Sequence, residues 1–420
     1  MDTMPDPIRM LHFADVHVGM ENYGRLDPTT GTSSRVRDFL DRLDEMIDFA
    51  AQNEADLAVF AGDAFKNRDP EPTQQREFAA RIKRLADTMP VLLLVGNHDT
   101  AGIAAKASSV DIFQALAVPG VIVGGRPGGQ VVQTRRGPVF LAWMPYPVRN
   151  RLLAQPEQHG KSIEELEAAL QQTVVDILAD LAQQAAAHDM PRVLSAHLSV
   201  KEARLGSERL IMLGKDLSLA TSALADPIWD YVALGHIHRH QALNPGGYPP
   251  VVYSGSLERI DFGEEDEEKG FWWVELARGK TTWRFVPVAA RPFRTVEVDA
   301  SGAEDPTKAV LDAVSRVDVK GAVIRIQVTL RADQAAALHD REILRALEPT
   351  AQVSLGRRYL EDERARLDGV SPEALTPLQL VETYFRIRGE APERTNALLA
   401  RAEDLMEEAA EEADRAEAAA

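Results

Sequence analysis

The sequence predicts an α/β fold, and three observations carry that reading. Short, continuous apolar runs recur between residues 8 and 235, separated by segments with helical spacing. Runs without polar alternation fit strands buried on both faces, as in a largely parallel sheet covered by helices. Several of the runs stop at a Gly or an Asp, residues that turn a chain sharply out of a strand.

The elements follow in order. Ile8 to Ala14 is a strand-like run ending at Asp15. Arg35 to Gln52 places Val36, Phe39, Leu40, Leu43, Met46, Ile47 and Ala50 at helical spacing. Leu57 to Ala61 reads as a strand ending at Gly62-Asp63, Pro72 to Ala86 as a helix with Phe78, Ile82 and Leu85 on one face, and Val91 to Val95 as a strand ending at Gly96. Val139 to Met144, Val193 to Ala196 and Tyr231 to Leu234 continue the strands, with a long helix over Ser162 to His188. Val251 to Ser254, Phe271 to Glu275 and Trp283 to Val288 are expected to form an antiparallel part. Beyond a boundary near Ala290 to Pro292, Arg294 to Val298, Ile324 to Leu330 and Gln352 to Leu355 read as strands, and Pro306 to Val317 and Asp333 to Leu347 as helices. Residues from Ser371 onward read as helices broken near Gly389 and Pro392.

Length and composition bound the function. The 420 residues suit two to three domains, and 45% apolar with 27% charged residues excludes a disordered or collagen-like chain. No run of about 18 apolar residues is present, so no spanning helix is expected. Met1 to Pro7 has neither a charged n-region nor an apolar h-region, which argues against a secretory signal and for a cytoplasmic protein. There is no cysteine, hence no disulfide, thiol nucleophile or thiolate ligand; a metal here must be held by His, Asp, Glu or Asn. The net charge of -18 argues against tight non-specific nucleic-acid binding by this chain alone, although residues 401–420 hold eight of the acids against two bases. The run Glu264 to Glu268 reads as a solvated turn.

Five segments, each after a strand-like run, carry the chemistry: Asp15-Val16-His17, Gly62-Asp63, Gly96-Asn97-His98-Asp99, Ala196-His197 and Gly235-His236-Ile237-His238. Taken alone, four of them have a commoner reading as a cap, a turn, a core histidine or a surface cluster; Gly96-Asn97-His98-Asp99 is the stronger signal, because a turn needs no histidine. Together they occupy the strand ends where α/β sheets gather ligands. Carboxylate, amide oxygen and imidazole suit manganese, iron, zinc or magnesium. A glycine before Asp63, Asn97 and His236 permits close backbone approach and unusual dihedrals. Two ions about 3.5–4 Å apart can activate a water and clamp an in-line phosphoryl displacement. His98 is then free for proton transfer or charge stabilisation.

With these residues in place, the chain resembles the calcineurin-like metallophosphoesterases. It most resembles their SbcD-type nuclease subunits, relatives of the eukaryotic meiotic-recombination-eleven repair nuclease. The motifs are Leu11-His12-Phe13-Ala14-Asp15-Val16-His17, Gly62-Asp63-Ala64-Phe65, Gly96-Asn97-His98-Asp99, and Tyr253-Ser254-Gly255-Ser256 with Asp261-Phe262-Gly263-Glu264. The resemblance implies a two-sheet sandwich flanked by helices over residues 1–290. It further implies a small α+β capping domain over 291–360 and a helical partner-docking segment with an acidic tail over 371–420. It also implies that Asp15, His17 and His238 hold one ion, that Asn97, His197 and His236 hold a second, and that Asp63 bridges them. The ions would be divalent, manganese first, with His98 catalytic and Asp99 its orienter. The implied activity is endo- and exonucleolytic cleavage of DNA in double-strand-break repair, by a homodimer acting with a coiled-coil SbcC-like ATPase.

One departure stands out: related nucleases carry a substrate-contacting histidine where this chain has Lys66, which can hold a phosphate as a point charge. Arg35 and Arg37, in the polar segment Asn22 to Arg37, are candidate DNA contacts or plain surface residues, as are Arg149 and Arg151. Of the adjacent Trp272 and Trp273, at least one is expected in the core. The face of Pro72–Ala86 is a candidate dimer surface, and Thr376 to Ile387, with Tyr384 and Phe385, a candidate docking helix. Two other readings remain: a phosphoesterase for nucleotides or cyclic nucleotides, and a non-catalytic scaffold for an ATPase.

Overall fold

The computed structural model describes residues 6–100, 106–148, 163–206, 216–360, 375–387 and 389–418. Cα proximity divides the chain into two compact units. The first holds Met1–Val296, Val314–Ile326 and Leu344–Ser354; the second holds Glu297–Ala313, Gln327–Ile343 and Leu355–Ala420.

Two six-stranded sheets make up the first unit's architecture. One has β1 (Ile8–Phe13), β2 (Leu57–Phe60), β3 (Val91–Leu94) and β4 (Val121–Gly124) as a parallel block. It is extended by the antiparallel β13 (Gly270–Leu276) and β14 (Thr282–Pro287), in the order β14-β13-β1-β2-β3-β4. The other is built from β5 (Gly128–Thr134), β6 (Gly137–Met144), β7 (Arg192–His197), β10 (Tyr231–Gly235), β11 (Gln241–Ala242) and β12 (Val251–Tyr253), in the order β11-β12-β10-β7-β6-β5. A two-residue pair, β8 (Ser199–Val200) with β9 (Ser218–Leu219), stands beside it. The expected all-antiparallel run over residues 251–288 is corrected here. β12 pairs parallel with β10 and antiparallel with the short β11 in the second sheet, whereas β13 and β14 pair antiparallel with each other in the first. Trp272 and Tyr253 still meet, because the Trp272 Nε1–H donates to the Tyr253 carbonyl across 3.0 Å.

The strand sequences lack polar alternation because both faces are covered. Ile8, Met10, Leu57, Val59, Leu92 and Leu94 face Leu141, Val193, Tyr231 and Ala233 between the sheets. Leu11, Phe13, Ala58 and Phe60, one residue out of phase, face the opposite way onto α1 (Ser34–Gln52) and α2 (Pro72–Ala86). Val232, Leu234 and Leu194 pack on Leu170, Val174 and Leu178 of the long helix Ile163–Ala186. Trp273 joins the outer core while Trp272 is half-buried. The face of α2 offered as a dimer surface is accounted for within this unit: Phe78, Ile82 and Leu85 are all buried in the core beneath α1 and the first sheet.

His12 lies between the sheets with both ring nitrogens occupied, 3.0 Å from the Tyr231 hydroxyl and 3.1 Å from the Leu234 carbonyl. Its burial drives its pKa down to about 3, so it sits there as a neutral structural group.

A short helix, α3 (Asp111–Ala115), precedes β4, and the long helix is α4. A third sheet has the order β15 (Phe293–Asp299), β16 (Val323–Leu330), β17 (Gln352–Tyr359), accompanied by α5 (Pro306–Val314) and α6 (Asp340–Ala346). The segment expected as one helix over Asp333–Leu347 is a 3₁₀ turn at Ala332–Ala337 followed by α6. α7 (Pro377–Ile387) and α8 (Pro392–Ala418) pack on each other, with Tyr384 half exposed. No helix among the described residues is long and apolar enough to cross a membrane.

Candidate dinuclear metal site

β1, β2, β3, β7 and β10 all run parallel within their sheets, so their C-termini lie at one edge, and the five chemical segments leave from there. The two sheets touch at this edge. The His236 amide donates to both Asp15 carboxylate oxygens, at 3.1 and 3.0 Å, and the His197 Nδ1 lies 2.6 Å from the Ala61 carbonyl. A Cβ on Gly235 would come within 2.3 Å of that same carbonyl, and one on Gly62 within 2.3 Å of the His197 Nδ1. Glycine at these positions is thus a steric requirement of the site. Asp15, His17, Asp63 and His236 have φ of 53°, 47°, 63° and 101°. Left-handed backbone at non-glycine residues costs about 1–3 kcal/mol each and persists only where surroundings enforce it.

Asp15, His17 and His238 bring one ligand atom apiece within 4.8 Å of one another, as do Asp63, His197 and His236, and also His17, Asp63 and His98. The Asn97 Oδ1 closes the second group, 3.0 Å from His197 Nε2 and 2.9 Å from His236 Nδ1. Asp63 Oδ2 lies between the groups, 3.8 Å from His17 Nε2 and 3.5 Å from His197 Nε2.

The outer ring nitrogens explain what these inner atoms need. His17 Nδ1 faces the Phe65 carbonyl, His238 Nδ1 the Glu264 carboxylate at 2.9 Å, His197 Nδ1 the Ala61 carbonyl, and His236 Nε2 the Asp216 carboxylate at 2.6 Å. Each partner is an acceptor, so each outer nitrogen carries a proton, and on a neutral ring the inner nitrogen carries a lone pair. His17 Nε2 and His238 Nε2 face each other at 3.1 Å. His197 Nε2 and His236 Nδ1 likewise face the Asn97 oxygen. With their inner nitrogens unprotonated these rings can hold a cation, and the donor set of imidazole, carboxylate and amide oxygen fits borderline divalent ions.

The electrostatics agree. Burial pushes Asp15 up to about 6, opposed by the surrounding histidines and reinforced by Asp63. Burial acts to raise Asp63 too, but His197, His98 and His17 hold it below the usual carboxylate range. Burial acts to lower His197, yet the Asp63 and Asp15 carboxylates carry it up to about 9. Burial holds His17 well below the ordinary imidazole value.

The expected pairing of His98 with Asp99 is corrected. Asp99 is fully buried and accepts from the backbone amides of Asp63, Ala64 and Gly96 and from the Ser109 hydroxyl, all at 2.9–3.0 Å. It fixes the Asp63 turn. The His98 ring is steadied instead by the Lys66 carbonyl, 2.7 Å from Nδ1, and its amide donates to Asp63 Oδ1 at 2.9 Å. The Lys66 side chain is exposed beside it.

Arg35 as a DNA contact is also corrected. It is 1% exposed, bonded to Asp38 at 2.7 Å and to the Arg259 carbonyl, because the first turn of α1 tucks it under the Phe39 and Phe293 rings. Arg37 is exposed and pairs with Asp27 at 3.1 Å. Arg149 and Arg151 lie outside the described residues.

Two site residues escaped the sequence. Glu264, read as part of a solvated turn, is fully buried between His238 and Lys269. Its signal was the Asp261-Phe262-Gly263-Glu264 motif followed closely by Lys269. Asp216 had no signal, since its partners Tyr146, Ser199 and His236 are scattered along the chain.

Residues 8–240 match the family model described as calcineurin-like phosphoesterase. The chain belongs to that family. It is 27% identical over 390 residues to a Rhodobacter capsulatus protein named as the SbcD component of nuclease SbcCD, covering 88% of this chain and 91% of that one. The Escherichia coli K12 protein of the same name is 28% identical over 279 residues, 65% of this chain and 66% of that one. An Archaeoglobus fulgidus protein named DNA double-strand break repair protein Mre11 is 24% identical over 341 residues, 76% and 67% of the two chains.

Proposed function

We propose that this phosphoesterase is a dinuclear-metal DNA nuclease subunit. The observation that carries this reading is the ring of inward-facing ligand atoms in two groups with Asp63 between them. Asp15, His17 and His238 would hold one divalent ion, manganese in our reading, and Asn97, His197 and His236 the other. A pair of such ions supplies an activated water and a clamp for in-line displacement at phosphorus. This chain's own residues do the rest. His98, its Nδ1 held by the Lys66 carbonyl, has Nε2 to stabilise or protonate a leaving oxygen. Lys66 and Arg37 offer exposed charge to a phosphate backbone. Asp99 keeps the Asp63 turn in place.

The names of the relatives support a nuclease acting in repair of DNA breaks; a cytoplasmic location and an SbcC-like ATPase partner belong to our reading. We assign residues 1–290 to catalysis, 291–360 to a cap, and 371–420 to docking of that partner through α7. A homodimer belongs to the same reading.

The test is hydrolysis of a labelled linear duplex and a single-stranded DNA circle with manganese, by the wild type and His98→Ala. Cleavage by the wild type that is lost in the variant is the expected result. Intact DNA together with hydrolysis of a chromogenic phosphodiester or a cyclic nucleotide would replace the nuclease reading with a small-substrate esterase. Hydrolysis of nothing, with metal bound, would favour the scaffold.

A further inference from the structure

The two histidines contributed by the β10 loop are hydrogen-bonded to different carboxylates. His236 Nε2 meets Asp216 Oδ2 at 2.6 Å. Asp216 is itself fixed by the Tyr146 hydroxyl at 2.6 Å and by the Ser199 hydroxyl of β8, so it is anchored from two separate segments. His238 Nδ1 meets Glu264 Oε1 at 2.9 Å, while Glu264 Oε2 accepts from the Ile260 amide at 3.0 Å and pairs with Lys269 at 2.8 Å. Glu264 and Lys269 have fully buried side chains. His236 and His238 are only two residues apart, yet one points to the Asn97 side of the site and the other to the His17 side.

We propose that Asp216 and Glu264 are positioning residues, each dedicated to one of the two ions. Asp216, through His236, sets the affinity of the ion on the Asn97 side; Glu264, through His238, sets that of the ion on the Asp15 side. This rests on the dinuclear reading above. The physical reason is that a carboxylate accepting the outer N–H fixes the ring's tautomer and tilt and makes the inner nitrogen a stronger donor. A neutral amide of the same shape accepts the same proton more weakly. It also turns a donor toward Lys269 or toward the two hydroxyls, where an acceptor stood. Loss of such a partner typically weakens a metal site by about 10–100-fold. Because each carboxylate bonds a different histidine, the loss should fall on one ion and leave the other in place.

The experiment is manganese titration of the metal-free full-length protein, followed by calorimetry and by electron paramagnetic resonance, which distinguishes a coupled manganese pair from a single ion. The wild type should bind two equivalents and give the coupled spectrum. Glu264→Gln and Asp216→Asn should each keep one tight equivalent and weaken the other by about 10–100-fold, replacing the coupled signal with that of a single ion. Combination with ligand variants identifies the side. Glu264→Gln added to His238→Ala should change nothing further, whereas Glu264→Gln added to Asn97→Ala should weaken the remaining ion. Should Glu264→Gln fail to fold because the buried Lys269 keeps only Glu267 as a carboxylate partner, Glu264→Gln/Lys269→Gln removes both charges and carries the same expectation.

Two tight equivalents with wild-type affinity in folded variants would overturn the positioning roles and leave the dinuclear site standing. Equal weakening of both ions by either variant would overturn the assignment of each carboxylate to one ion. A wild type that binds no manganese pair would overturn the dinuclear reading itself and this proposal with it.

Discussion

Gly96→Ala adds one methyl group at the most crowded point of the site. The new Cβ would lie 2.0 Å from Asp63 Oδ1 and 2.6 Å from the Asp63 backbone nitrogen. Gly96 has no left-handed φ, so the effect is purely steric. A carbon–oxygen contact needs roughly 3.4 Å, so the carboxylate must retreat by about 1.4 Å. It has nowhere to go without loss. Its Oδ1 accepts from the His98 amide at 2.9 Å, and the Asp63 amide is tied to Asp99 at 2.9 Å. Metal–ligand distances tolerate only about 0.2 Å. Because Asp63 faces both groups of ligands, both manganese affinities should drop together. Turnover should fall by about 100-fold or more, the usual consequence of a 1 Å misplacement. The overpacking should cost about 1–3 kcal/mol of stability. Calorimetric manganese titration with thermal melting reads both effects, and Gly302→Ala, where an added Cβ meets nothing within 4 Å, is the control. A Gly96→Ala protein that melts with the wild type and binds manganese as tightly would refute the argument that close backbone approach at this glycine builds the site.

Other expectations follow from the same geometry. His98→Ala should retain manganese and lose about 10²–10⁴-fold in rate, whereas Asp63→Ala should lose the metal; equal metal content in the two variants would reverse these roles. In the metal-free protein His197 is raised to about 9, so manganese must displace a proton from it near neutral pH. Affinity should therefore climb with pH, by up to tenfold per unit, and level off above about 9. Calorimetry near pH 7.5 in buffers of different ionisation enthalpy should register release of about one proton, and none released would contradict the Asp63–His197 coupling. The same coupling stabilises the metal-free fold below the ordinary imidazole value and fades as pH rises toward 9. Phe78→Ala should cost about 3–5 kcal/mol in urea unfolding, because that side chain is core. An unchanged midpoint with a dissociated dimer would instead return α2 to the role of an interface.

The site's ligand candidates were legible because local chemistry is written locally: apolar strands ending in Asp15, Asp63, Asn97, His197 and His236, with glycines at the turns. Helices were legible for the same reason, and the Pro72–Ala86 boundaries were read to the residue. The sequence could not say which sheet a strand joins. Val251–Tyr253 looked like the start of an antiparallel run, but its alignment beside Tyr231–Gly235 depends on pairing partners that lie far away in the chain. Charge was misleading wherever a partner was distant. Arg35 resembled a surface cation until Asp38 and the Arg259 carbonyl enclosed it, and Glu264 resembled a solvated acid until His238 and Lys269 did the same. Asp99 stands next to His98 in the chain, but the turn points it at the Asp63 amide instead. Residue type and spacing thus determined which groups are available for chemistry. The tertiary structure alone decided which of them face each other, because hydrogen-bond partners and desolvation are set by neighbours in space.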